Sequence, residues 1–215
     1  MTSALREEIC RVGASLFARG YVHATAGNIS VRTDDGYLIT PTDACLGHLD
    51  PAKLAFVNAD GEQVSGDRAS KTLTLHRKIY GSDPDARCVI HTHSTHLVAL
   101  TLSWVWSQDD ILPPITPYYV MKVGHVPLIP YHRPGDPTVG TLVAARISAM
   151  RNKGTPIRAV MLDRLGPNVW HTNPANASAV LEELEETARL YLLARPQALS
   201  DEQLEELRTH FGAHW

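Results

Sequence analysis

Leu5, Ile9, Val12, Leu16 and Phe17 recur at helical spacing, which predicts an amphipathic helix from Thr2 to Arg19, ended by Gly20. Two short apolar runs follow, Ile29 to Arg32 and Tyr37 to Thr40, joined through Asp34-Asp35-Gly36. They read as strands around a hairpin turn. Leu54 to Asn58 and Gln63-Val64 suggest a second hairpin around Asp60-Gly61. Leu73, Leu75, His76 and Ile79 permit a helix over Lys71 to Tyr80.

Cys88 to His91 reads as a strand, and His96 to Ser103 as a helix behind it. Val126 to Tyr131 is the next expected strand, stopped by Arg133-Pro134-Gly135-Asp136. Thr138 to Met150 reads as helix and Ile157 to Leu162 as strand. Asn176 to Leu193 is the longest expected helix, with Glu182-Glu183 and Glu185-Glu186 on its wet side. A short helix from Ser200 to Phe211 is placed to close over a neighbour or a site. Strand–helix–strand alternation from Cys88 to Leu162 suggests parallel crossovers. The ends of three strands, at His91/His93, Tyr131/His132 and Asp163/Arg164/Leu165, then face one side of the sheet, where ligands of such sheets gather.

At 215 residues the chain suits one α/β domain spanning 1–215, and no repeat or linker divides it. A net charge of −3 gives no reason to expect nucleic acid or an acidic membrane surface as partner. No stretch approaches a membrane span, and the first residues do not read as a secretory signal. Cys10, Cys45 and Cys88 are widely spaced and odd in number, so a reducing cytoplasm fits best.

Eleven histidines is a generous count, and two of them stand one residue apart at the end of the Cys88-Val89-Ile90 run. In a strand, residues i and i+2 share a face, so the imidazoles of His91 and His93 leave the sheet side by side. A divalent metal is commonly gripped that way; the plainer alternative is a pair of surface or loop histidines. His96, on the first turn beyond, suits a helix-start hydrogen bond better than a ligand. Three polar loops, Thr25-Ala26-Gly27-Asn28, Thr40-Pro41-Thr42-Asp43 and Asp67-Arg68-Ala69-Ser70-Lys71, offer N–H, hydroxyl and ammonium groups to an oxyanion. Taken singly each is ordinary turn chemistry; converging on one pocket they make a phosphate site. No P-loop or Gly-x-Gly-x-x-Gly is present, which argues against nucleotide chemistry.

The order of these motifs resembles the class II aldolase/adducin family over nearly the whole chain. The matching stretches are Thr25 to Arg32, Ile39 to Thr42, Ser70-Lys71 ahead of His76, His91-Thr92-His93, and Arg158 to Leu193. The resemblance implies a three-layer fold, a central mixed sheet of nine strands flanked by helices, and a homotetramer with active sites between neighbouring subunits. It implies a divalent metal, zinc first and manganese as the alternative, that holds the enediolate of a sugar phosphate. It also implies that Thr25, Gly27, Asn28, Thr42 and Ser70 seat the phosphate, with His91 and His93 on the metal. Pro113 to Gly124 and Tyr131 to Asp136 resemble, within that family, the 3-oxo-tetronate 4-phosphate decarboxylases. The expected reaction is loss of carbon dioxide from a phosphorylated four-carbon 3-oxo acid, giving dihydroxyacetone phosphate in acid-sugar catabolism. A sugar-phosphate aldolase or epimerase is the alternative within the fold, and a non-catalytic adducin-like interaction module the alternative outside enzymes.

Two departures from the family pattern matter. Thr72 stands where the family places a catalytic glutamate, with Lys71 just before it. A decarboxylase needs no base to make its enolate, so Thr72 disfavours aldol cleavage, and Lys71 is the expected carboxylate partner or proton donor. Leu165 stands where the family's third metal-binding histidine precedes a glycine, here Gly166. Leucine cannot ligate, and His132 is the expected substitute ligand because it ends a strand running alongside the one carrying His91. Tyr118 and Tyr119 lie where the family draws a tyrosine from the adjoining subunit, and Tyr119 is the expected catalytic one.

Overall fold

The computed structural model describes residues 3–215, so the expected helix start at Thr2 lies outside the described residues. Helix α1 (Ser3–Ala18) leads into two antiparallel hairpins, β1 (Asn28–Arg32) with β2 (Gly36–Ile39), and β3 (Ala55–Asn58) with β4 (Gln63–Ser65). Helix α2 (Leu73–Ser82), strand β5 (Cys88–His91) and helix α3 (Thr95–Ser103) follow. The second half runs β6 (Leu128–Ile129), α4 (Pro137–Asn152), β7 (Ala159–Leu162), β8 (Gly166–His171), α5 (Pro174–Ala194) and α6 (Asp201–Phe211).

Among the described residues these strands form one eight-stranded sheet in the order β4-β3-β2-β1-β5-β8-β7-β6, one strand fewer than expected. Only β6 and β7 pair in parallel; every other neighbouring pair is antiparallel. Because β5 and β7 are both antiparallel to β8, they run the same way, and β6 runs with β7. The carboxyl ends of β5, β6 and β7 therefore do meet at one edge. β6–α4–β7 is a parallel crossover as expected, whereas β5 reaches that edge without one, since β8 sits between β5 and β7. Its opening residues, Gly166-Pro167-Asn168, have turn composition, which hid that strand from pattern reading.

Helices cover both faces of the sheet. Ile9, Leu16, Ile29, Ile90, Val169 and Leu181 belong to the core under α1, α3 and α5. Tyr80, Val89, Val143, Ile147, Val160 and Trp170 belong to the core under α2 and α4. β5 is buried on both sides, which explains its unbroken apolar run. Helix starts follow their caps: the Asn173 side chain accepts from the Asn176 N–H ahead of Pro174, and Ser200 with Gln203 completes a capping box.

Glu185 corrects the wet face assigned to α5, for it is 3% exposed. Its carboxylate accepts the backbone N–H groups of His96 and Leu97, at 2.9 and 3.1 Å, and the Nδ1–H of His96 at 2.8 Å. A buried carboxylate thus caps the free amides that begin α3 and bolts the segment after His93 to α5. His96 is spent on that contact, as its place in the first helical turn suggested.

Candidate active site

Register brings the three polar loops to the sheet edge where β5 ends. Asn28, the first residue of β1, lies opposite His91, the last of β5. Thr40, just past β2, exchanges hydrogen bonds with Ile29: its N–H donates to the Ile29 carbonyl at 3.0 Å, and its Oγ1 accepts the Ile29 N–H at 3.2 Å. Thr42 donates its N–H to the Arg68 carbonyl at 2.8 Å, and Ser70 donates its N–H to the Thr40 carbonyl at 3.3 Å. The loops holding Thr25 to Asn28, Thr42 and Ser70 are therefore laced together at the rim that carries His91.

Close backbone approach fixes this rim. Gly27 has φ +83°, and a Cβ there would stand 2.8 Å from the His91 carbonyl oxygen. Gly166 has φ +141°, and a Cβ on it would overlap the Thr92 carbonyl oxygen and stand 3.2 Å from the His93 Cα. Only glycine lets β8 run this near to the His91–His93 segment.

The His91 and His93 ring centres lie 5.1 Å apart at an interplanar angle of 68°. His91 Nδ1 is 2.8 Å from the Pro167 carbonyl oxygen. A carbonyl only accepts, so Nδ1 carries the proton and Nε2 keeps a lone pair free for an electrophile. Burial, then the neighbouring His93, push the His91 pKa down to about 4 against the pull of that carbonyl. Burial and then His23 lower that of His93. Both imidazoles are thus in the neutral form that a metal requires.

Zinc–nitrogen bonds of about 2.0–2.1 Å at tetrahedral angles put the centres of two ligating rings about 5 Å apart. The His91–His93 pair fits a divalent cation by spacing, protonation and the carbonyl that orients it. A complete ligand set is not already assembled. Among the described residues no three His, Cys, Asp or Glu side chains are clustered to hold an ion. His132, the expected third ligand, is not brought to the pair. It sits in the loop after β6 with Nδ1 turned to the Pro130 carbonyl at 2.6 Å. That short-range bond turns the ring back on its own loop.

Thr72 lies just before α2, its Oγ1 2.8 Å from the Ser70 Oγ, so the position where a glutamate was expected carries a hydroxyl tied to Ser70. Lys71 is exposed beside it. Tyr119 has no exposed surface; it packs on Trp215 with ring centres 5.6 Å apart, and its hydroxyl is buried without a partner. Tyr118 is 62% exposed. Of the two adjacent tyrosines, Tyr118 therefore faces outward and Tyr119 inward, where a short π-helical turn over Tyr119–Val123 begins.

Two further groups escaped sequence reasoning, and a third, His76, entered it only as a marker of the family motif. His23 faces His93 edge-on, with ring centres 6.4 Å apart, and lines an open cavity of about 350 Å³ with His93, Thr95, Arg164 and Leu165. Asn168 lies opposite His91 on β8, buried, with neither side-chain polar atom hydrogen-bonded. His76 on α2 holds the Ser30 Oγ at 2.7 Å by Nδ1, while its buried Nε2 has no partner. His23 and Asn168 leave no local sequence signal; tertiary packing alone brings His23 to His93, and Asn168 and His76 to His91.

The Class II Aldolase and Adducin N-terminal domain family matches residues 7–192. A 3-oxo-tetronate 4-phosphate decarboxylase from Cupriavidus necator is 59% identical, over 99% of this chain and 98% of that protein. One from Pectobacterium atrosepticum is 43% identical, over 87% of this chain and 84% of its own length. Among solved structures, YgbL from Escherichia coli superposes with a TM-score of 0.87 at 40% identity, covering 96% of this chain and 98% of that one. With that family matched from α1 through most of α5, the chain belongs to the class II aldolase and adducin family.

Proposed function

We propose that this chain is a carboxy-lyase that converts a 3-oxo-tetronate 4-phosphate into dihydroxyacetone phosphate and carbon dioxide. The observation that carries the reading is the imidazole pair, 5.1 Å apart with His91 Nδ1 tied down, set against three interlaced polar loops. The decarboxylase names borne by relatives at 59% and 43% identity support the same substrate class over aldolase or interaction-module alternatives.

The chemistry follows from the groups present. Thr25, Gly27, Asn28, Thr42 and Ser70 seat the phosphate through backbone N–H and hydroxyl donors, fixing the acid end relative to His91 and His93. The bond between the carboxylate carbon and its neighbour breaks, its electron pair moves toward the 3-oxo group, and carbon dioxide leaves. A divalent cation, zinc or manganese, held by His91 and His93 would supply an electrophile for the charge growing on the ketone oxygen. Lys71 then delivers a proton to the carbon that lost the carboxylate. Thr72 offers no base, and none is needed, since the departing carboxylate supplies the electrons. Tyr118 is the aromatic available to an adjoining subunit, in a homotetramer whose sites lie between neighbours.

We read residues 1–215 as one domain at work in the cytoplasm. The relatives' near-complete coverage of this chain, three free cysteines and the absence, among described residues, of a helix long and apolar enough to cross a membrane support this. The test is carbon dioxide release from 3-oxo acid sugar phosphates with dihydroxyacetone phosphate as co-product. Aldehyde formation without carbon dioxide would overturn the reading in favour of aldol cleavage.

A further inference from the structure

We infer that Arg164 receives the substrate carboxylate and gives the site its selectivity for an acid. The assignment rests on the decarboxylase reading above and concerns an anion contact alone, whatever His91 and His93 hold.

Topology puts Arg164 on the side of the site away from the phosphate loops. In the sheet, β1 flanks β5 on one side and β8 on the other, with Asn28, His91 and Asn168 in one row across the three strands. The interlaced polar loops lie on the β1 side, and the β7–β8 turn that carries Arg164 lies on the β8 side. Neighbouring strands stand about 4.8 Å apart, so the two sides are about 10 Å apart. A four-carbon acid with its phosphate at the far end lays its two anionic groups across that gap, with the ketone between them at the histidines.

The cavity at His93 fits the acid end. His23, two residues ahead of Thr25, forms one lip, Arg164 forms another, and Val98 and Leu165 supply apolar wall. Its volume of about 350 Å³ has room for a carboxylate. Among the described residues Arg164 is the one permanently charged group lining it.

The main chain holds Arg164 in place against strain. Its φ is +61°, a left-handed conformation uncommon for a residue with a Cβ. Three successive amides fix the turn. The Asp163 N–H donates to the Ile129 carbonyl at 3.0 Å, the Arg164 N–H to the Thr101 Oγ1 at 3.1 Å, and the Leu165 N–H to the Leu162 carbonyl at 3.1 Å. The Thr101 hydroxyl donates in turn to the Val98 carbonyl at 2.8 Å, which ties the turn to α3. The guanidinium itself is exposed and, among the described residues, has no hydrogen bond or ion pair. Strain of this kind gathers at ligand clamps, and the planar fork of an arginine matches a carboxylate with two hydrogen bonds. With the carboxylate on Arg164, Lys71 is left to the proton transfer. Carbon dioxide leaves uncharged, so the contact binds substrate and its loss shows in KM.

The test is steady-state carbon dioxide release by the full chain, with dihydroxyacetone phosphate as a competitive inhibitor that keeps the phosphate and lacks the carboxylate. Arg164→Met should raise KM by about 10- to 100-fold, the worth of a charged hydrogen-bonded contact, without lowering kcat. Inhibition by dihydroxyacetone phosphate should match the parent's. Arg164→Lys, which keeps the charge and loses the fork, should fall between the two in KM. Urea melts of both variants should overlay the parent, because an exposed side chain is being replaced. A KM equal to the parent's in both variants, or a rise in KM matched by equally weakened inhibition, overturns this assignment alone. A parent that releases no carbon dioxide from 3-oxo acid sugar phosphates overturns the decarboxylase reading with it.

Discussion

The Nδ1–H of His91 donates to the Pro167 carbonyl 2.8 Å away, across the β5–β8 pair, so one strand orients the imidazole that its neighbour carries. His91→Ala should therefore abolish stoichiometric zinc and lower kcat for carbon dioxide release by about 10²–10³-fold, the usual cost of losing one stabiliser of a developing oxyanion. Dialysis of the parent against a chelator should give the same loss, restored by zinc. Full carbon dioxide release from a chelated parent would sink the expectation.

Gly166→Ala should disturb the site without touching any functional side chain. At φ +141° an alanine is strained, and its methyl would displace the Thr92 carbonyl beside His93. A loss of about 1–3 kcal/mol in urea unfolding is expected, together with weaker zinc binding. Wild-type stability and affinity in that variant would show that the close approach is not required.

Metal-free protein should lose stability in acid through His76. Burial, then His91, push the His76 pKa down to about 3 from an ordinary 6.5. The unfolded chain binds this proton more readily, so stability is full above about pH 6.5 and declines as pH falls toward 3. One such proton gives a slope of about 1.4 kcal/mol per pH unit. His91, near 4, adds in the same direction. Urea melts from pH 7 to about 4 should be shallower in His76→Leu by roughly one proton's slope. Ser30 and Tyr80 keep their own 2.7 Å hydrogen bond there, and an unchanged slope would refute the assignment.

Lys71→Met should reduce kcat by about 10²-fold or more while leaving urea stability untouched, as expected for an exposed proton donor. Steady-state kinetics of carbon dioxide release separates the cases. A rise in KM with kcat intact would make Lys71 a binding contact only.

Much of the fold was legible because its signals are local. The period of Leu5, Ile9, Val12 and Leu16 announced α1, and the helices expected from Thr138 and Asn176 are present as α4 and α5, starting at Pro137 and Pro174 behind the caps Asp136 and Asn173. β8 was not legible: Gly166-Pro167-Asn168 reads as a turn, and its strand character comes from pairing with β5 and β7. Glu185 was misplaced because a four-glutamate stretch looks solvated, whereas α3 supplies three donors that justify burying one carboxylate. The inward turn of Tyr119 and outward turn of Tyr118 rest on a π-helical turn that no residue pattern announces.

The sequence by itself determined the chemistry on offer: two imidazoles on one strand face, three hydroxyl- and amide-bearing loops, and a leucine and a threonine at positions where the family uses a metal ligand and an acid–base carboxylate. Those are matters of covalent identity and spacing along the chain. Only the tertiary structure decided which groups meet. His23 is 70 residues from His93 in sequence and 6.4 Å from it in space, while His132 folds back on its own loop. Strand order and register are set by burial summed over the whole sheet, so contacts of long sequence separation cannot be read from any one segment.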